Sequence, residues 1–115
     1  MAVSADEFLK SAEQILLSKT EISFRNAASR AYYAAFCQAR NYARDRHGLM
    51  LRYNGDDHSL VRRHFHSRRA KGVSLKLASL RDWRNACDYA DDIPALAAML
   101  AQALAEARMV IAILK

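Results

Sequence analysis

A chain of 115 residues, 52% of them apolar, fits a single domain over residues 1–115 with a core of its own, and needs neither disulfides nor a structural metal to hold it. One Pro and three Gly leave too little punctuation for a multi-stranded β fold, whereas Ala, Leu, Arg and Lys, all good helix formers, are abundant; the composition predicts an all-α fold. The net charge of +6 points to anionic partners.

The first helix opens on a capping box, Ser4 followed by Glu7, and Phe8, Ala12, Ile15 and Leu16 recur at helical spacing, which predicts a helix from about 5 to 18. A second helix is expected from Glu21 to about Arg46, with Phe24, Ala28, Ala31, Tyr32, Ala35, Ala39 and Tyr42 on one face. The small residues on that face let a neighbour approach closely, so this long helix should be central. From His47 to Asp57 the pattern dissolves into a loop marked by Gly48, Asn54, Gly55, Asp56 and Asp57. Asp57 then reads as the N-cap of a short third helix, His58 to about Arg69, weakly anchored by Leu60, Val61 and Phe65, with the basic stretch Arg68 to Gly72 as a mobile connection. Ser74 reads as the cap of a fourth helix to about Tyr89, with Leu77, Leu80, Trp83 and Cys87 as its buried stripe. Asp92 and Pro94 signal a last helix to about Leu114. Its apolar residues span so wide an arc that it must be central or meet a second subunit, and a homodimer joined through long helices is expected.

Charge is unevenly distributed. Residues 25–76 hold twelve Lys or Arg against three acids, while the flanking segments are slightly acidic. Such a block predicts a surface for RNA, DNA or a nucleotide; a solvated helix face or the docking surface of an acidic protein would leave the same trace. Cys37 and Cys87 lie within helical runs among apolar neighbours and read as reduced, packed residues. The first residues carry acids and no apolar core of the signal-peptide kind, and Gln102, Glu106 and Arg108 interrupt the longest apolar run, so a cytoplasmic protein without a membrane span is expected.

Two segments say more. Phe24 to Phe36, FRNAASRAYYAAF, contains Arg30, Tyr32, Tyr33, Ala34 and Phe36, and Arg81 to Asp92, RDWRNACDYADD, contains Arg84 and Asn85. Together they resemble the HEPN family, small helical proteins of prokaryotic conflict and nucleotide systems. There the first segment reads Arg-x-Tyr-Tyr-Ala-x-Phe, and the second carries an Arg-Asn start followed by a His. The resemblance implies a four- to five-helix up-and-down bundle. It further implies either an RNA-cleaving member of a toxin–antitoxin or defence system, or an inactive module that docks a small nucleotidyltransferase-type antitoxin or holds its nucleotide substrate. In active members an Arg-x(4–6)-His pair works without metal or other cofactor, the His moving the proton of a ribose 2′-hydroxyl and the Arg holding the phosphate.

By that resemblance Arg84, Asn85, His58 and Tyr89 are the candidates for chemistry; Arg30 with Tyr33 on an adjoining helix face, and Arg62 and Arg63 of the basic block, are the candidates for ligand binding. Tyr89 stands where the His is expected, and a phenol with a pKa of ~10 is a poor substitute for imidazole. On a regular helix Arg84 and Tyr89 diverge by ~140°, whereas Arg84 and Asp88 share a face and would pair. His58, in a run that looks like the family segment where a His opens the third helix, is the other group able to move a proton. Tyr32 should pack in the core and Tyr33 reach a groove. The string Arg40 to His47 also fits the Arg-x(6)-His pattern, but its members lie ~10 Å apart along a helix. All four His fall between 47 and 66 without recognisable metal-ligand spacing, so no metal is assigned. Nothing resembles a Ser-His-Asp triad or a phosphate-cradling Gly-rich loop.

Overall fold

A computed structural model describes residues 4–15, 20–68, 70–90 and 92–115 as an all-helical bundle, with no strand among the described residues. The helices are α1 (Ala5–Ile15), α2 (Glu21–His47), α3 (Asp57–Ser67), α4 (Lys71–Tyr89) and α5 (Leu96–Ile113). The Ser4 cap forms as expected: the Glu7 N–H donates to Ser4 Oγ (3.2 Å), while the Glu7 carboxylate accepts the Ser4 hydroxyl (3.2 Å) in place of the backbone N–H of a full capping box. Leu16 and the expected end of this helix at 18, like the end of the third helix at Arg69, lie outside the described residues. At the start of α2, Thr20 Oγ1 accepts the Ser23 N–H (3.1 Å), a cap the chain pattern had not singled out.

Helix α2 touches each of the other four. Its 27 residues span ~40 Å at the helical rise, matching the 40 Å longest dimension of the fold. Ala28, Ala31, Tyr32, Ala35 and Ala39 are buried as predicted, and Ala27, Ala34 and Cys37 are buried too, so this helix is enclosed over more than one face. Leu77 and Leu80 of α4 and Leu100, Leu104 and Val110 of α5 close the core, each aliphatic side chain contributing about 1.5–3 kcal/mol of burial. Helix α5, by contrast, is one-sided. Leu100, Ala103, Leu104, Ala107, Val110 and Ile111 face inward, while Met109 and Ile113 are exposed. With 18 residues and a mean hydropathy of 1.6, α5 is by length and composition alone apolar enough to cross a membrane, despite Gln102, Glu106 and Arg108.

Three helix starts differ from expectation. Asp57 does not cap α3; Asp56 occupies the N-cap position without a side-chain bond, and the Asp57 carboxylate turns back into the preceding loop. Helix α4 begins at Lys71 rather than after Ser74, because Val73 is buried and draws the first turn onto the core. The stretch read as a mobile connection therefore contributes Lys71 and Gly72 to a helix. Helix α5 begins at Leu96, after Ala95 in the left-handed region (φ 54°), so Pro94 precedes the helix instead of opening it. Nor is α3 weakly held: Val61 and Phe65 are both in the core.

Candidate functional site

Adjacent residues on a helix point about 100° apart, which sends Tyr32 and Tyr33 to different surroundings. Tyr32 is 1% exposed and Tyr33 half-buried, as expected. The Tyr32 hydroxyl reaches out of the core to hydrogen-bond Nδ1 of His58, the second residue of α3. The imidazole stacks on Phe36, with ring centres 4.2 Å apart and planes 20° apart. From α4, the Arg84 guanidinium lies over the Tyr32 ring (4.9 Å) and the Tyr33 ring (5.7 Å). Its Nη1 donates to Tyr33 Oη (3.2 Å) and its Nη2 to Asn85 Oδ1 (3.1 Å). Three distant segments thus meet at one place. Arg25 holds two of them together, donating from Nη1 of α2 to the carbonyls of Cys87 (3.0 Å) and Ala90 (2.5 Å), where α4 would otherwise leave acceptors unpaired.

Next to His58 the loop between α2 and α3 is tightly specified. Gly48 leaves α2 in the left-handed region (φ 67°), and the following N–H of Leu49 returns to the Ala43 carbonyl (3.1 Å), a reversal that glycine makes without steric cost. Asp57, 4% exposed, accepts the backbone N–H groups of Arg52 and Tyr53, each at 2.8 Å. Tyr53 is held at φ 58°, a conformation rarely adopted by residues other than glycine, with its side chain largely exposed. A pocket of about 330 Å³ opens here, lined by Tyr33, Phe36, Arg40, Tyr53, Asn54, Asp57 and His58.

The electrostatics follow from burial among cations. Burial pushes the Tyr32 phenol up to about 12, against the opposing pull of Arg84, Arg81 and Arg62, so the hydroxyl stays protonated. Burial also lowers the His58 pKa, helped by Arg84, Arg81 and Arg62 and opposed by Asp57; the imidazole is neutral at neutral pH. Three guanidinium groups therefore act on this pair, yet among the described residues none of them forms an ion pair. Nε of Arg84 and Nε of Arg62 are buried without a hydrogen-bond partner among the described residues. Donors left in this state are groups that an anion would satisfy.

Of the expected site residues, Arg84, Asn85, His58 and Tyr33 come together, with Arg62 close enough to act on His58. Tyr89 does not join them: at the last position of α4 it is 83% exposed. Arg30 is exposed, its guanidinium 6.0 Å from the Phe8 ring centre. Arg63 is exposed and lines a different depression with Arg52 and Asp56. The anticipated Arg84–Asp88 pair is absent, since the guanidinium turns to Tyr33 and Asn85. Arg40 and His47 are also apart: Arg40 bonds Asn41 (3.1 Å), while His47 Nδ1 meets His64 Nε2 (2.8 Å). Among the described residues no three His, Cys, Asp or Glu side chains gather in a way that could hold a metal ion. Cys37 and Cys87 are buried and unpaired, and burial raises both thiol pKa values. Arg81, Arg40, Tyr53 and the Arg25 cap were not anticipated as parts of this region; an aromatic directly before the turn residues Asn54-Gly55 was the signal available for Tyr53.

No protein-family model, curated protein or solved structure matches the chain.

Proposed function

We propose that this is a cytoplasmic, HEPN-like protein with an up-and-down bundle that binds RNA in a toxin–antitoxin or defence system. The site is the cluster of Tyr33, His58, Arg84 and Asn85. The observation that carries this reading is the set of three guanidinium groups around a neutral His58, none with a carboxylate partner among the described residues. A phosphodiester supplies the missing charge, and guanidinium groups bind phosphate with strong, directional hydrogen bonds.

The same groups suit metal-independent cleavage. In the tautomer with hydrogen on Nδ1, His58 donates to the Tyr32 oxygen and leaves Nε2 as a base. Nε2 takes the proton of the ribose 2′-hydroxyl as that oxygen attacks phosphorus, Arg84 stabilises the charge developing on phosphate, and the imidazolium returns its proton to the departing 5′ oxygen. The products are a 2′,3′-cyclic phosphate and a 5′-hydroxyl. Removing such a proton-moving group costs roughly 10²–10⁴-fold in rate, so His58→Ala should nearly abolish cleavage, and Arg84→Ala should abolish toxicity on induced expression together with RNA breakdown. Tyr89→Phe should change little, because that side chain is exposed away from Arg84. Cleavage by His58→Ala at the wild-type rate would remove His58 from the reaction.

A second reading rests on Tyr89. With no His in α4 beside Arg84, the chain would be an inactive HEPN module that docks a small nucleotidyltransferase-type partner or holds its nucleotide. That reading is preferred if purified wild type cleaves none of a varied set of RNAs and Tyr89→His gains activity.

A further inference from the structure

We propose that the pocket walled by Tyr33, Phe36, Arg40, Tyr53, Asn54, Asp57 and His58 receives one unpaired nucleobase, with Arg40 on the phosphate attached to it and the Asp57 carboxylate already engaged by the Arg52 and Tyr53 N–H groups. This rests on the reading of the Arg84–His58 cluster as an RNA site and adds what holds the base. The volume of about 330 Å³ sits at the low end of the ~300–1,000 Å³ typical of small-ligand pockets, enough for a single nucleotide and too little for a paired segment.

The walls are suited to that ligand. Tyr53 is 76% exposed and so contributes little to the core, yet its backbone is held at φ 58°, and the buried Asp57 carboxylate fixes it there through the Tyr53 and Arg52 N–H groups. Packing does not account for an exposed aromatic kept in a strained conformation at a pocket mouth; a stacking platform does. Phe36 and His58, already stacked at 4.2 Å, line the same cavity. Asn54 Oδ1 accepts the Asp56 N–H (2.9 Å), which leaves its Nδ2 donor without a partner among the described residues and available to a base acceptor. Arg40 lies 5.8 Å from the Phe36 ring centre and makes no ion pair among the described residues. An aromatic slot beside a guanidinium that donates only to Asn41 and makes no ion pair among the described residues selects a planar ring that carries negative charge, and a nucleobase with its phosphate is that chemistry whether it comes from a free nucleotide or a strand.

The test measures equilibrium binding at fixed salt to nucleoside monophosphates, to a short single-stranded RNA of mixed sequence, and to an abasic strand of the same length. Wild type, Tyr53→Ala, Tyr53→Phe and Arg84→Ala are compared, with circular dichroism confirming that each is folded. Loss of the Tyr53 platform should weaken binding of the base-bearing strand roughly 10-fold, leave the abasic strand unaffected, and be rescued by Phe. If Tyr53→Ala binds RNA as wild type does while Arg84→Ala binds it weakly, the base pocket is wrong and the RNA reading stands. Equal wild-type affinity for the abasic strand also overturns the pocket. Tyr53-dependent binding of monophosphates with no binding of the strand supports the pocket and overturns the RNA reading; no binding of any probe overturns both.

Discussion

Replacing Asp57 by Ala removes a carboxylate that fastens the loop between α2 and α3 to the start of α3. Its two acceptor bonds, each 2.8 Å from a backbone N–H, are charge-assisted and made by a residue that is 4% exposed. Hydrogen bonds to charged groups contribute about 1.5–3 kcal/mol, and the second bond adds less than the first because one side chain is ordered for both; a loss of about 2–4 kcal/mol is expected. For a domain of this size that lowers Tm by roughly 8–16 °C. Asp57→Asn keeps one acceptor but turns an N–H₂ toward a backbone donor, so it should recover less than half of the loss. Thermal and urea unfolding measure the global effect, and amide exchange at Arg52 and Tyr53 measures the local one. An Asp57→Ala protein with wild-type Tm and unchanged exchange at those two amides would refute the assignment of this carboxylate as the clamp.

Stability should fall as pH drops. The His58 and His64 pKa values are both lowered in the folded chain, chiefly by burial, so the unfolded chain binds protons first below about 6.5; stability is lost from there down to the folded-state pKa values, and urea midpoints that stay flat across that window would contradict the burial of these rings. Neutralising Arg62 should reduce the slope of log affinity for single-stranded RNA against log salt by about 0.7, with a smaller effect from Arg63, which lines a separate depression; equal effects would place the strand elsewhere. Light scattering should give a mass near twice the 13.0 kDa of one chain, through the exposed Met109 and Ile113 side of α5, and a monomer at tens of micromolar removes the dimer.

Helical periodicity carried the architecture because burial in a bundle repeats along each helix, and the long run from Phe24 to Tyr42 left little alternative. Helix starts were harder to read. Asp57 has the right residue type and place for a cap, but a carboxylate at that point can equally face the loop, where two N–H groups compete for it. Ser74 and Pro94 were overruled by their neighbours, through burial of Val73 against the core and the left-handed Ala95. At the site, His58 and Arg84 were legible as residue types, whereas the hydroxyl of a core tyrosine linking to His58 was not, since it depends on how α3 leans on α2. Spacing along α4 already separated Tyr89 from Arg84, and its exposure at the helix end follows from that.

Seven of the ten buried residues of α2 are alanine. Truncation has almost nothing to remove there, and enlargement has no room: a change such as Ala31→Val or Ala35→Leu forces two helices apart and costs about 1–3 kcal/mol or more. Ala98, Ala105 and Ala112, on the open side of α5, carry the same methyl group under the opposite constraint and accept larger side chains freely. Mutational tolerance is therefore uneven among residues of one chemical type, and a library randomised at every alanine should return survivors sorted by helix, with the central column kept small while the outer one drifts.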